Sequence, residues 1–477
     1  MEYEAVIGLE THVQLKTETK MWCSCRNEYG GDPNTQVCPV CLGFPGALPV
    51  ANERALELTA LTGLLLNCEI PRKAQFDRKN YFYPDSAKNY QITQLAYPST
   101  QNGYVEFELN GQIERIRINR AHLEEDVGKS FHFDKESGVD FNRGGVPLLE
   151  IVTEPDLTSA DMAYEYLNAL KAILEYGGIS DCDMEKGMVR CDVNISVRPV
   201  GEKKLGEKIE IKNMNSFSGV RRALLHEIPR QIEAVKNGEK LIQETRRWDD
   251  IAGITESMRT KEDAHDYRYF PCPDLMPFVV KDEWLEKVKE KVVELPLARK
   301  KRLIKDFDIS SGDADVFTTD VELGDYFQEV AKASKDQKPK NIANWIVNTL
   351  RGAMTDHGIS VNELKFDMNQ FIELLSLLEG GKISRNAGLE VFAEMFEKGT
   401  SPAKIVENKG LAQVSDSGAL EAFCDEALSA NPKSVEDFKN GKGAALNFLK
   451  GQVMRLSKGK ANPAVVGELL EKKINNL

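Results

Sequence analysis

The strongest constraint on the fold lies near the N-terminus, in Val6-Ile7-Gly8-Leu9-Glu10-Thr11-His12-Val13-Gln14-Leu15. Ile7, Leu9, Val13 and Leu15 alternate with Gly8, Glu10, His12 and Gln14, which is the period of an extended strand with one apolar and one polar face. A carboxylate and an imidazole two positions apart on a strand point into the same space, so Glu10 and His12 form a workable half of a divalent-metal site. The same pattern also fits an edge strand whose polar face meets water. Further carboxylates in similar settings favour the metal.

Those carboxylates come later in the chain. Arg190-Cys191-Asp192-Val193-Asn194-Ile195-Ser196-Val197-Arg198 alternates strictly, placing Asp192 on a polar strand face. Glu150 interrupts the apolar run Val146-Pro147-Leu148-Leu149-Glu150-Ile151-Val152, and a carboxylate in a buried strand needs a partner. Glu124, Glu125 and Asp126 follow His122, and three adjacent acids are held together at low cost only by water or a cation. Gly128-Lys129-Ser130 resembles the end of a phosphate loop, but that motif needs Gly five residues before its second Gly, and position 123 is Leu. Any nucleotide is bound without such a loop.

Nine cysteines scattered over 477 residues do not form a disulfide framework. Four of them cluster as Cys23-Ser24-Cys25 and Cys38-Pro39-Val40-Cys41, across a turn-rich stretch, and can surround one tetrahedral zinc. Four thiolates leave no open position, so such a site staples a loop rather than activating water. The segment Phe76-Asp77-Arg78-Lys79-Asn80-Tyr81-Phe82-Tyr83-Pro84-Asp85 mixes cations and rings and suits a nucleotide or an RNA end, with Arg78 and Lys79 facing phosphates and Tyr81 stacking. A structural loop with packed aromatics is the competing reading.

Helical periods cover 52–66, 158–176 and 220–235, and Asn110-Gly111 joins two strands in a hairpin. Strands and helices without regular alternation indicate an α+β fold with a mixed sheet. From about residue 295 strand patterns vanish and helical ones dominate, with a further break near 405. The formal net charge of −13 argues against indiscriminate coating of nucleic acid. The last segment is nonetheless basic, with Lys439, Lys442, Lys450, Arg455, Lys458, Lys460, Lys472 and Lys473, which suits either an RNA-contacting tail or a solvated helix face. With no long apolar run and no basic-then-apolar leader, the expectation is a cytoplasmic protein without membrane contact.

The stretches at 7–15, 76–85, 122–130, 190–196 and 266–271, with Asn440-Gly441-Lys442-Gly443 and Lys458-Gly459-Lys460-Ala461-Asn462-Pro463, together resemble the B component of the tRNA-dependent amidotransferases, the GatB/GatE family. The resemblance spans essentially the whole chain. It implies a mixed-sheet cradle domain over 1–293 with a kinase and transamidase site and a zinc-binding loop, an all-α helical domain over 294–405, and a small all-α tail domain over 406–477 that meets tRNA. It implies a ligase acting with an A subunit, which carries the glutaminase, and a C subunit. Glu-tRNA(Gln) or Asp-tRNA(Asn) is activated by ATP at the side-chain carboxylate and amidated with ammonia from glutamine. On this reading Glu10, His12, Glu124, Glu125, Glu150 and Asp192 are candidates for magnesium, since phosphoryl transfer needs its charge neutralised. Arg78, Lys79 and Tyr81 face the nucleotide. Lys79 and Lys88 steady the phosphates or the activated carboxylate, and Glu125 takes a proton from ammonium, because only the neutral amine attacks. Cys23, Cys25, Cys38 and Cys41 match the zinc-bearing form of the family, and glutaminase activity is expected on the partner rather than here.

Overall fold

In a computed structural model describing residues 2–260, 267–334, 337–413, 417–457 and 461–476, the alternating segment forms strand β1 (Tyr3–Gln14). The chain divides into two compact units, Met1–Arg299 and Lys300–Leu477. In the first, β1 is the fifth strand of an eight-stranded sheet. A small three-stranded sheet contributes β2 (Asp77–Asn80), β3 (Tyr90–Thr93) and, late in the chain, the short Phe270–Pro271 strand. The large sheet continues with β4 (Thr100–Leu109), β5 (Gln112–Glu125), β6 (Pro147–Thr153), β7 (Val189–Pro199), β8 (Ile209–Lys212), β9 (Glu244–Asp249) and β10 (Ile254–Thr260). Their spatial order is β10-β9-β8-β7-β1-β6-β5-β4. All neighbours are antiparallel except β8 and β9, so the sheet is mixed and the fold α+β, as the sequence pattern indicates.

Local chemistry sets these elements. Asn110 and Gly111 both have positive φ, 52° and 78°, the backbone that a two-residue hairpin between β4 and β5 requires. Helix α1 (Glu53–Leu65) is capped by the Asn52 side chain, which accepts from the Ala55 N–H at 3.1 Å. Ser159 and Ser216 cap α2 (Ala160–Tyr176) and α3 (Phe217–Lys236) in the same way. Ile7, Leu9 and Val13 of β1 join Leu149 and Ile151 of β6, Ala121 and Leu123 of β5, and Cys191, Val193 and Ile195 of β7 in one buried cluster with Tyr166, Leu167 and Leu170 of α2 and Val220 and Leu224 of α3. Burying that face forces the alternate residues of the same strands onto the other side. Glu10 therefore lies opposite Asp192, His12 opposite Arg190 on one flank and Glu150 on the other, and Glu150 opposite His122.

Among its described residues the second unit has helices and no strand. It holds two apolar clusters, one running from Leu303 to Val406 and another from Leu420 to Ile474. The helical stretch around Trp345 contains a π turn, Ile346–Leu350, which an ideal 3.6-residue period does not foresee. No helix among the described residues is long and apolar enough to cross a membrane. In the basic final segment Lys442 pairs with Asp437 at 2.9 Å and Lys473 with Asp425 at 2.6 Å, while Lys458 and Lys460 lie outside the described residues.

Candidate active site

Three adjacent strands deliver the core of the site. His12 Nε2 of β1 stands 3.4 Å from Glu150 Oε2 of β6 and 3.5 Å from Glu124 Oε1 of β5, and one donor atom from each residue lies within 4.8 Å of the others. Glu124 and Glu150 side chains are only 4% and 14% exposed, so neither carboxylate has bulk water to dilute its charge. His122 Nε2 is 3.6 Å from Glu150, and its Nδ1 is buried without a hydrogen-bond partner. Burial pushes the His122 pKa down to about 4, against the attraction of Glu150, so this ring is neutral at pH 7.

Charge couples the members of the trio. Burial and repulsion from Glu150 push Glu124 up to about 7. Burial would also raise Glu150, but the neighbouring imidazoles and Lys79 outweigh it and hold that carboxylate well below its ordinary range. For His12, burial opposes the charge, and the hydrogen bond to Glu150 with the fields of Glu124 and Asp192 overcomes it, raising the ring to about 9. Two carboxylates and an imidazole with converging donors suit a divalent ion, and such an ion would relieve the repulsion that lifts Glu124.

Lys79 of β2 faces this cluster. Burial disfavours its charge, but Glu124, then Tyr269 and Glu150, keep it protonated, and its ammonium sits 4.9 Å from the Tyr267 ring centre. Lys88 Nζ donates to Glu125 Oε2 at 2.5 Å, in a pair 13% and 3% exposed. The other Glu125 oxygen accepts from the Ile92 N–H at 2.9 Å.

The four thiols of the turn-rich loop also meet, with Sγ atoms within 4.8 Å of one another. Cys38 and Cys41 sulfurs are 3.9 Å apart, close to the ~3.8 Å edge of a tetrahedron with zinc–sulfur bonds of about 2.3 Å. The thiol of Cys23 stabilises a Cys41 thiolate, burial opposing and the Cys38 N–H and Lys20 assisting, so that Cys41 is held down to about 4. Lys20 is fully buried with Nζ 3.8 Å from that sulfur. The donors fit one metal ion with no vacant position.

Comparison with known proteins accounts for both halves of the chain. Residues 5–286 match the GatB/GatE catalytic domain, and residues 325–474 match the GatB domain. The chain is 51% identical over 481 residues to a protein of Carboxydothermus hydrogenoformans and 49% identical over 482 residues to one of Caldicellulosiruptor saccharolyticus, each pair matched over 100% of both chains. It is 50% identical over 473 residues to a protein of Thermodesulfovibrio yellowstonii, over 99% of both. The chain belongs to the GatB/GatE family. All three relatives are named as the B component of an aspartyl/glutamyl-tRNA(Asn/Gln) amidotransferase.

Within this GatB/GatE catalytic domain the residues singled out from the sequence divide into rows. His12, Glu124 and Glu150 converge. Glu10 shares their face but accepts from Asn194 Nδ2 at 2.7 Å, and Asp192 pairs with Lys212, which also reaches Glu210 at 3.1 Å. Glu125 stays with Lys88 rather than joining the trio. Arg78 pairs with Asp274 and lies over the Tyr90 ring, 4.2 Å from its centre, so its guanidinium anchors β2. Tyr81 meets Tyr267 edge-on at 6.3 Å. Asp266 lies outside the described residues.

Sequence reasoning passed over three members of this surface. His122 is two residues before Glu124 on the same strand face, and its spacing was the available signal. Lys212 closes on Asp192 from the neighbouring strand β8, and Arg190 bonds Asp126, 64 residues away in sequence, at 2.9 Å. A cleft of about 680 Å³ opens beside Gln14 and Arg190 at the end of this face.

Proposed function

We propose that this chain carries the carboxylate-activating and amide-forming site of an ATP-dependent aminoacyl-tRNA amidotransferase, converting Glu-tRNA(Gln), Asp-tRNA(Asn) or both to the amidated form. The observation that carries this reading is the convergence of His12, Glu124 and Glu150 under Lys79. Family membership and the relatives' names support the substrate class.

In this reading His12, Glu124 and Glu150 would hold a magnesium ion, with Glu10 and Asp192 on the same strand face. Bound there, the ion would neutralise charge spread over phosphate oxygens. Lys79 places a half-buried ammonium where negative charge builds, and a preorganised charge in such a site stabilises the transition state without reorganising. Tyr81 offers the nucleotide a ring, while Arg78 keeps β2 in place. Glu125, hydrogen-bonded to Lys88, accepts a proton from ammonium so that neutral ammonia can displace the phosphate. The four thiols take zinc as a staple. Ammonia comes from a glutaminase on an A subunit, a C subunit completes the assembly, and the tail domain meets the tRNA in the cytoplasm.

The test is ATP-dependent conversion of Glu-tRNA(Gln) and Asp-tRNA(Asn) by this chain assembled with its A and C partners. Amide formation that disappears in Glu150→Ala supports the reading; amide formation indifferent to that change refutes it.

A further inference from the structure

The thiol cluster and the Lys88–Glu125 pair share a wall. A cavity of about 90 Å³ is lined by Cys23, Cys41, Gly43, Lys88, Glu125 and Gly145, with other residues closing it. Gly43 has φ +67°, and a Cβ added there would stand 2.7 Å from Lys88 Cγ, 3.1 Å from Lys88 Cα and 3.3 Å from the Ala87 carbonyl oxygen. The loop backbone at Gly43 therefore lies close against the stem of Lys88, not against its flexible tip. On the opposite side a Cβ at Gly145 would stand 3.5 Å from Cys41 Cβ and 3.9 Å from Glu125 Oε2, which brings the sulfur loop and the carboxylate to one glycine.

Gly43 is not free to move by itself. Consecutive turns wind the loop, with Leu42 N–H donating to Cys38 O at 3.0 Å, Gly43 N–H to Val40 O at 3.1 Å and Phe44 N–H to Pro39 O at 2.8 Å. Two ligand cysteines thus sit inside the coil that ends on Lys88. Lys20, buried between Cys41 Sγ at 3.8 Å and Phe141 O at 3.3 Å, ties the same coil to the segment leading into β6. Closing the four thiols on one ion would fix this coil, whose far side lies against a side chain whose ammonium sits on Glu125.

We propose that the thiol-closed loop is a positioning element for Lys88: Gly43, fixed by the metal-bound turn, holds the Lys88 stem so that its ammonium remains on Glu125. The loop then does more than staple the N-terminal region. Its occupancy by metal sets the geometry of a pair in the amide-forming site, and loss of the metal disables that pair while the strand-borne trio is left in place. The consequence for catalysis rests on the function proposed above; the geometric claim about Lys88 does not.

The experiment measures acetylation of Lys88 by an amine-acylating reagent, read by peptide mass spectrometry, in the assembled complex with its thiol site loaded. Three samples are compared with the wild type: Gly43→Ala, Gly46→Ala and wild type stripped by a chelator. Gly46 shares the loop and a positive φ of 84°, but a Cβ there meets nothing within 4 Å, so it reproduces the backbone strain without the contact. The expected result is severalfold faster labelling of Lys88 in Gly43→Ala and in stripped wild type, with Gly46→Ala unchanged. Amidation from ammonium salts by Gly43→Ala should fall on the order of tenfold to a hundredfold, the scale of an ångström-sized misplacement. Equal labelling in wild type and Gly43→Ala overturns the proposal, as does an equal rise in both glycine variants. Should Gly43→Ala fail to fold, unchanged labelling on stripping overturns it alone. A wild-type complex that forms no amide refutes the functional reading instead, and the labelling still decides this one.

Discussion

Two clusters of ligand-competent side chains in the first unit are built by opposite means. The thiol site comes from one loop between Cys23 and Cys41, where sequence neighbours become spatial neighbours through short turns. The His12, Glu124 and Glu150 site exists only after three strands have paired, because no two of its members are close in sequence. The first holds four sulfurs with no vacancy. The second holds a buried and a half-buried carboxylate and an imidazole, with a half-buried lysine facing them. A local site is suited to holding a loop, and a distributed one to chemistry that depends on the whole sheet.

This contrast is broken most severely at the distributed site. Glu150→Ala should lower ATP-dependent amidation by the assembled complex on the order of a hundredfold or more, since a preorganised charge is lost from the reacting centre. The same variant should also lose some stability, because the imidazoles and Lys79 hold the Glu150 carboxylate well below its ordinary range and that contribution goes with it. Stripping the thiol site should release one ion and destabilise the first unit by a few kcal/mol, on the order expected when a structural metal is lost. Calorimetry with metal analysis checks both halves. If metal stripping leaves the unfolding midpoint unchanged, the structural half of the division of labour is wrong.

A third buried carboxylate sharpens the comparison because the protein satisfies it internally. Glu227 of α3 accepts from Arg230 at 2.5 Å, Gln231 at 2.9 Å and Thr255 at 2.7 Å. Burial would raise it, but these bonds hold its pKa below the usual 4.5. A depressed folded-state pKa stabilises above the unfolded value, and that contribution is lost as pH falls through the folded one. Glu227→Gln should therefore destabilise by about 1–3 kcal/mol at pH 7, with the gap to wild type closing below pH 4.5 in urea melts. Glu124→Gln should show no such gap at pH 7, because Glu124 is pushed up to about 7 and ionisation there adds no stability. A small loss is expected at a cap. Asn52→Ala should lose about 1 kcal/mol from α1, read as a shift of the urea midpoint.

The sequence shows the two sites to different depths for the same reason. Cysteine spacing encodes the thiol loop directly, and turn residues between the pairs suffice to predict closure. Period-two alternation also assigns Glu10, His12 and Asp192 to polar strand faces, because burying Ile7, Leu9 and Val13 leaves their neighbours no other side, while Glu150 shows only as a carboxylate inside an apolar run. Strand order is what alternation does not contain. That β1 lies between β6 and β7 decides that His12 meets Glu150 and Glu124, and that Asp192 turns to Lys212 on the next strand instead. The partnership of Lys88 with Glu125 likewise depends on β3 lying against β5, and Arg78, attractive as a phosphate ligand in a string of cations and rings, is drawn to Asp274 by a strand that arrives about two hundred residues later.

The central claim is that the distributed trio is a divalent-cation site. Anomalous diffraction from crystals of the assembled complex soaked in manganese tests it directly. The account predicts a peak bounded by His12, Glu124 and Glu150 that disappears in Glu150→Ala, with the sulfur loop unchanged. Manganese bound elsewhere on the sheet, or a peak that survives that substitution, would contradict it.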